Sequence, residues 1–368
     1  MRSQDKFRGC LIGGAAGDAL GFAVEFLDEE EIFGQYGADG ITAYRLSGGL
    51  ARISDDTQMT LFTANGLLLG AAKGLTRNDG TLNPRAIGLC YQDWLKTQGG
   101  RYTPDMHPKA AWLGNVPELY SRRAPGSTCL MALGSGKLGT VREPINDSKG
   151  CGGVMRVAPI GLYFNDRGTD IREIGRLGAE AAAITHGHPL GWMPGAALAL
   201  IVHEVSQDGA AITDAVLHAL ETVNGIFPDS AEKSTFDSLM KRAVDLAGED
   251  RQDLQAIHRL GEGWVVEEAL AIAVYCAVKH AGDIDGTLIA AVNHKGDSDS
   301  TGAIAGNIVG AQVGLSGIPA KYTEHLELRD LILEVADDLW RDAGSADDPA
   351  WQRKYGDFTG CLNECTPS

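Results

Sequence analysis

Residues 9–21 read GCLIGGAAGDALG and residues 302–314 read GAIAGNIVGAQVG, so glycine returns at every fourth position in two segments near opposite ends of the chain. Each glycine inside a helix costs about 1 kcal/mol against alanine, so such rows need a reason. A spacing of four lays the row along one winding face. The missing side chains then leave a shallow groove that admits another backbone, as rows of small residues do between membrane helices. The spacing predicts two central, tightly packed helices. The alternative is accident in a chain of 368 residues that holds 48 glycines.

Outward from these rows, apolar residues recur mainly at three- and four-residue intervals, and alternating β-branched runs bounded by turn signals are almost absent, which predicts an all-α fold. Helices are expected near 6–22, 55–70, 84–97, 171–185, 193–206, 211–223, 231–247, 265–280, 285–293, 301–314 and 325–341. Stretches at 34–53 and 100–150, rich in Gly, Pro, Ser and Arg, read as long loops and not as linkers. At roughly 100–200 residues per domain the length allows two domains or one large one.

The formal charge of -17 argues against nucleic acid or an anionic membrane as the main partner, since both need clustered Lys and Arg. A polyanionic ligand would need a local device, such as metal ions or backbone N–H groups. No segment approaches the roughly 18 uninterrupted apolar residues of a membrane helix, and Met1–Arg8 lacks the order of a signal peptide, so a soluble, cytoplasmic protein is expected. The seven cysteines, Cys10, Cys90, Cys129, Cys151, Cys276, Cys361 and Cys365, lack paired metal-ligand spacing and read as reduced thiols.

Chemistry concentrates at two helix starts. Ser54-Asp55-Asp56-Thr57 precedes Met59, Phe62, Gly66 and Leu69 at helical spacing, and His294-Lys-Gly-Asp297-Ser-Asp299-Ser300-Thr301-Gly302 opens the second glycine helix. Either alone is explained by an N-cap with acids favouring the helix dipole. Together they offer two pairs of carboxylates plus hydroxyls, the hard oxygen ligands that Mg²⁺ or Mn²⁺ requires, and they suit a shared two-metal site if the glycine helices pack centrally. Asp297, Asp299 and Thr301 also fit the D-x-D-x-T pattern of aspartyl-phosphate phosphatases, and contain the D-x-D of some metal-dependent glycosyltransferases. Both expect a buried strand before the acids, where this chain has Asn293-His-Lys-Gly296. Gly134-Ser-Gly-Lys137-Leu138 mimics a phosphate loop, but Leu138 stands where a hydroxyl should be.

Gly150, Cys151, Gly152 and Gly153, before Val154-Met155-Arg156, form either a plain loop or an anion cradle of bare backbone N–H groups. His186 and His188, two apart, cannot share a helix face and are either loop residues or substrate contacts. Glu25, at the end of the first glycine helix, is either solvated or functional.

Taken in order, these segments resemble the ADP-ribosylglycohydrolase family, which includes ADP-ribosylarginine hydrolases and dinitrogenase-reductase-activating glycohydrolases. The resemblance rests on Gly13–Gly21 with Asp18 and Glu25, Ser54–Met59, Gly150–Arg156 with Pro159, Thr185–His188, and Gly296–Gly302. It implies a compact orthogonal multi-helix bundle as a single domain over 1–343, followed by a polar tail over 344–368. It also implies two Mg²⁺ or Mn²⁺ ions held by Ser54, Asp55, Asp56, Asp297, Asp299 and Ser300, with Ser54 standing where relatives often have Thr.

The reaction implied is hydrolysis at C1 of the distal ribose of ADP-ribose on a modified protein, commonly at arginine, with a metal-activated water as nucleophile. In that picture Glu25 handles protons or gates the site, Asp56 is the rival base, the loop from Gly150 to Gly153 with Met155 takes the pyrophosphate, and His186 contacts ribose or phosphate. Serine-linked or small-molecule ADP-ribose is the alternative substrate. The other class of reading is an immunity protein that counteracts a cognate ADP-ribosyltransferase toxin.

Overall fold

The two glycine rows meet. In the computed structural model, which describes residues 3–75, 82–100, 109–164, 168–207, 210–341 and 348–356, they lie on antiparallel helices packed backbone to backbone. In chain order the helices are α1 (Gln4–Gly21), α2 (Glu29–Tyr36), α3 (Asp55–Ala72), α4 (Arg85–Thr97), α5 (Ser127–Gly134), α6 (Ala158–Tyr163), α7 (Ile171–Ala183), α8 (Pro189–Val205), α9 (Ile212–Ile226), α10 (Lys233–Ala247), α11 (Asp253–Ile257), α12 (Val266–Lys279), α13 (Ile284–Val292), α14 (Ser298–Val313) and α15 (Arg329–Arg341), with a final turn at Pro349–Trp351. Among the described residues no sheet forms; strand pairing is limited to isolated bridges such as Gly150 with Val265.

Gly9 faces Gly310 and Gly314, Gly13 faces Gly306, Gly17 faces Gly302, and Gly21 faces the backbone of Ser298. A β-carbon on any of these α1 glycines would fall within 3.0 Å of the opposing backbone, a separation that real side chains do not reach. The helices can approach this closely only because nothing projects between them. Asn307 adds a polar tie, its side-chain amide donating to the Cys10 carbonyl at 2.8 Å.

Around this seam the helices sort by pattern. In α3, α8, α12 and α14 most residues are buried on every face, as expected of helices with no polar stripe, and they form the interior with α1. By contrast α7 buries Ile174, Leu177, Gly178 and Ala181 at three- and four-residue spacing and turns its other face outward. One cluster of buried apolar residues runs from Phe7 through to Tyr355. Residues 348–356, part of the segment read from sequence as a polar tail, seat Trp351 and Tyr355 on it, and the Tyr355 hydroxyl donates to Asp338 at 2.7 Å.

Three boundaries differ in ways that matter. The helix expected over 301–314 begins at Ser298, so Asp299 and Ser300 lie in its first turn and Asp297 caps it. The helix expected over 193–206 begins at Pro189, with His188 as its cap. The first glycine helix ends at Gly21, which puts Glu25 in the turns beyond it. Helices α2, α5, α6 and α11 were not expected. They are short, and α2 buries only Ile32; its stability comes from the reciprocal cap between Asp28 and Glu31. Cys10, Cys90, Cys129, Cys151 and Cys276 are free thiols, whereas Cys361 and Cys365 lie outside the described residues. Among the described residues no helix is long and apolar enough to cross a membrane.

The seam makes two glycine substitutions act in opposite directions. Gly13→Ala should cost about 3 kcal/mol or more, because the methyl group overlaps the Gly306 carbonyl. Gly34→Ala, in α2 with open space around its β-position, should be neutral or stabilise by up to about 1 kcal/mol. Urea unfolding of the two variants beside the parent checks both signs.

Candidate metal centre

Because α1 and α14 run antiparallel, the C-terminal end of α1 meets the first turn of α14, with Gly21 against Ser298. The chain leaving α1 carries Glu25 to that point. One oxygen each of Glu25, Asp297 and Asp299 lie within 4.8 Å of one another, and all three residues are buried. Helix α3 brings its own first turn to the same place, with Ser54, Asp55 and Asp56 also buried.

Both acid-bearing helix starts are real N-caps, so the structural and chemical readings of these residues coexist. Ser54 Oγ accepts the Asp56 N–H at 3.2 Å, and Asp297 Oδ1 accepts the Ser300 N–H at 3.3 Å while Asp299 Oδ1 accepts it at 2.9 Å. The approach to α3 is held by buried Glu327, which accepts from Arg52 at 2.6 Å, Arg123 at 2.8 Å and the Ile53 N–H at 3.1 Å.

Asp18 was quoted in the sequence motif but not assigned to the site. Fully buried, it accepts the Ser54 N–H at 2.9 Å, the Thr57 N–H at 3.0 Å and the Thr57 hydroxyl at 2.5 Å. It therefore ties α1 to the start of α3 and fixes where Asp55 and Asp56 point. Its signal in the sequence is that it is the one charged residue in the row from Gly9 to Gly21.

Six carboxylates thus share a space shielded from water. Burial, then the charge of Asp299, pushes Glu25 from the ordinary 4.5 up to about 10 and Asp18 from 3.8 up to about 7. The same two causes raise Asp55 and Asp56 well above the carboxylate range, and burial with the charge of Asp297 does so for Asp299. Burial also raises the Cys151 thiol, which hydrogen-bonds Asp297. Such a cluster is costly unless cations compensate it. Two of its oxygens, Glu25 Oε2 and Asp56 Oδ2, are buried with no hydrogen-bond partner. Unsatisfied carboxylate oxygens beside serine hydroxyls make an all-oxygen donor set, which fits hard divalent cations.

The glycine segment stands beside this cluster as a turn of 3₁₀-helix, Cys151–Gly153. The N–H groups of Gly150, Cys151 and Gly153 donate to Ser148 Oγ, the Trp264 carbonyl and the Gly150 carbonyl, so the open cradle expected from the sequence is mostly engaged within the protein. The glycines are needed for closeness: a β-carbon at Gly152 would sit 2.9 Å from Cys129 Sγ and 3.1 Å from His186 Cε1. His186 is buried under the turn, its Nδ1 2.8 Å from Thr185 Oγ1. Burial and then the charge of Arg156 lower it to about 3, so the imidazole is neutral at physiological pH. His188 is the α8 cap, its Nδ1 accepting the Leu190 N–H at 3.1 Å. Met155 is buried in the apolar core.

Arg156 was missed as more than a motif member. Its fully buried guanidinium donates to Thr185 Oγ1 at 2.7 Å and the Ala181 carbonyl at 3.2 Å, and lies 4.3 Å from the centre of the Tyr91 ring.

A sequence model of the family described as ADP-ribosylglycohydrolase matches residues 1–349. Among similar proteins, ADP-ribosylhydrolase ARH3 of Danio rerio is 26% identical, covering 91% of this chain and 89% of its own. The ADP-ribosyl-dinitrogen reductase glycohydrolase of Rhodospirillum rubrum is 27% identical, covering 89% and 92%. A solved structure titled ADP-ribosylglycohydrolase-related protein complex superposes with a TM-score of 0.60 at 24% identity, over 92% of this chain and 98% of that one.

The raised carboxylates predict a pH dependence whose sign cations reverse. Glu25 and Asp18 hold protons more tightly folded than unfolded. Without cations, their contribution to stability is therefore greatest in acid and falls as pH rises from the ordinary 3.8 toward about 7 for Asp18, and from 4.5 toward about 10 for Glu25. Divalent cations bind the deprotonated form, so the rise in melting temperature on adding Mn²⁺ should grow over that same range. Thermal melts with chelator and with Mn²⁺ at about pH 5 and about pH 8 check this; an equal rise at both would place the binding elsewhere.

Proposed function

The chain belongs to the ADP-ribosylglycohydrolase family, and from that premise we propose that it releases ADP-ribose from ADP-ribosylated protein, with arginine as the acceptor and Ser54, Asp55, Asp56, Asp297, Asp299 and Ser300 holding two Mg²⁺ or Mn²⁺ ions. The observation that carries this reading is the buried convergence of Glu25, Asp297 and Asp299, with Glu25 Oε2 and Asp56 Oδ2 lacking partners. Divalent cations bound there would supply positive charge that orients the ribose hydroxyls and acidifies water.

The rest falls to the protein's own groups. Cleavage at C1 of the distal ribose passes through an oxocarbenium-like transition state, which neighbouring carboxylates stabilise by charge. Glu25 is the proton carrier: once its neighbours' charges are offset it can deprotonate, and it then takes at Oε2 the proton of the water attacking C1 as the bond from C1 to the arginine nitrogen breaks, the departing guanidine taking up that proton to leave as guanidinium. It sits outside the regular helix, in the turns after Gly21, where a backbone adjustment does not disturb the glycine seam. Asp56, with its own free oxygen, is the rival base. Asp18 positions Asp55 and Asp56 through Ser54 and Thr57 and stays away from the reacting atoms.

Neutral His186 and the tight turn at Gly150, Cys151, Gly152 and Gly153 suit the pyrophosphate end of the ligand. An uncharged imidazole offers an N–H without the strong ion pair that would hold product too tightly. Arg156 behind it contributes positive potential on that side of an acidic protein.

The test is release of ADP-ribose from arginine-modified and serine-modified protein, with Mg²⁺ or Mn²⁺ and with chelator. Release should require the cation and be abolished by Asp297→Ala. Glu25→Gln should lower turnover by about 10²–10⁴-fold with ADP-ribose affinity little changed. Release that survives both chelator and Asp297→Ala would overturn the reading.

A further inference from the structure

Two of the most exposed aromatic rings among the described residues meet at the rim of the acidic cluster. Phe26 is 71% exposed and Trp264 is 41% exposed, and their rings are nearly parallel, with centroids 6.2 Å apart and planes 22° from each other. They come from segments far apart in the chain. Phe26 directly follows Glu25 in the turns after α1. Trp264 directly follows Gly263, whose β-position would lie 3.4 Å from Asp297 Cβ and 3.0 Å from Thr301, and the Trp264 carbonyl accepts the Cys151 N–H at 3.2 Å.

An exposed Phe or Trp alone is ordinary; two nearly parallel exposed rings beside buried carboxylates are not a requirement of folding. Their separation is at the loose end of aromatic pairing, so neither ring is buried by the other, and a cation within about 6 Å of a ring centre is attracted by its negative face. Tryptophan is the best such ring and guanidinium the commonest such cation, being flat, weakly hydrated and able to stack. The potential favours the same ligand, since Glu25, Asp297 and Asp299 cluster beside the pair and carboxylates attract a cation over a neutral group.

We infer that Phe26 and Trp264 form the acceptor subsite and select a guanidinium-bearing side chain over a neutral hydroxyl acceptor, an inference that rests on the function proposed above. The pair flanks Glu25 and Asp297, so it borders C1 of the distal ribose, where the leaving group departs. The adenine, beyond the pyrophosphate, lies at the other end of the ligand.

The experiment compares peptides matched in sequence, one ADP-ribosylated on arginine and one on serine, with wild type, Phe26→Ala, Trp264→Ala and Trp264→Phe, alongside the affinity of each for ADP-ribose and for agmatine. For the arginine peptide, kcat/KM should fall about tenfold in each alanine variant and be largely retained in Trp264→Phe. The serine peptide should change less than about threefold, and ADP-ribose affinity should not move. Equal losses on both peptides, weakened ADP-ribose binding, or no change at all would overturn the subsite. If wild type cleaves neither peptide, the proposed function fails. Agmatine binding lost in Phe26→Ala and Trp264→Ala would then still identify a guanidinium site, and agmatine binding that ignores both rings would remove it.

Discussion

Everything at the candidate centre depends on one contact, the antiparallel meeting of two helix backbones along rows of glycine. Apart from the Asn307 amide on the Cys10 carbonyl, backbone meets backbone, so the register is set by carbonyl against Cα, and a slip would drive a β-carbon of the intervening residues into the facing helix. The rigidity matters because of what lies at one end. With Gly21 against Ser298, the exit of α1 and the entrance of α14 coincide, and residues 25, 297 and 299, remote in sequence, become neighbours. The conformational cost of four glycines in one helix, about 1 kcal/mol each, is offset by close packing and yields a metal-sized spacing of carboxylates.

The second constraint is electrostatic. Burying six carboxylates together opposes folding, and the protein answers locally before any cation is considered. Two helix N-termini, those of α3 and α14, turn their positive dipole ends toward the cluster, and their first-turn N–H groups donate to Ser54, Asp18, Asp297 and Asp299. Asp18 is answered most fully, with two backbone donors and a hydroxyl, which explains why it rises less than Glu25. Glu25 has no comparable donors, and its Oε2 is without a partner. Asp56 shares that lack of a partner, but of the two only Glu25 lies outside a regular helix, a combination suited to a group that changes protonation or partner.

What could be read from the sequence follows the range of the interactions involved. Helices such as 171–183 were legible because their burial repeats at a period visible in a dozen residues. The seam was legible because both partners carry the same spacing of four, and the acids at Ser54–Asp56 and Asp297–Ser300 were legible because a helix start marks itself locally. The role of Asp18 was not, since its donors at Ser54 and Thr57 are supplied by another helix. The internal bonding of the glycine segment was hidden for the same reason, since the carbonyl that receives the Cys151 N–H belongs to Trp264, far along the chain. Helix α2 escaped detection because one buried residue leaves no periodicity to see.

The site is also polarised. On one side lie the carboxylates; on the other, behind the glycine turn, Arg156 is buried against Tyr91 and bonded, among the described residues, to the neutral acceptors Met59, Cys129, Ala181 and Thr185. Burial, and then the charge of Arg156, keep His186 neutral beside the turn while cations would gather across from it. A ligand matched to such a gradient carries negative charge at the turn and its positive or hydroxyl-rich portion at the acids. ADP-ribose on a cationic acceptor has that order along its length: pyrophosphate, then ribose, then the charged nitrogen. Under the proposed function such a gradient would orient the molecule before any specific contact forms, through buried groups that salt screens much less than surface charges.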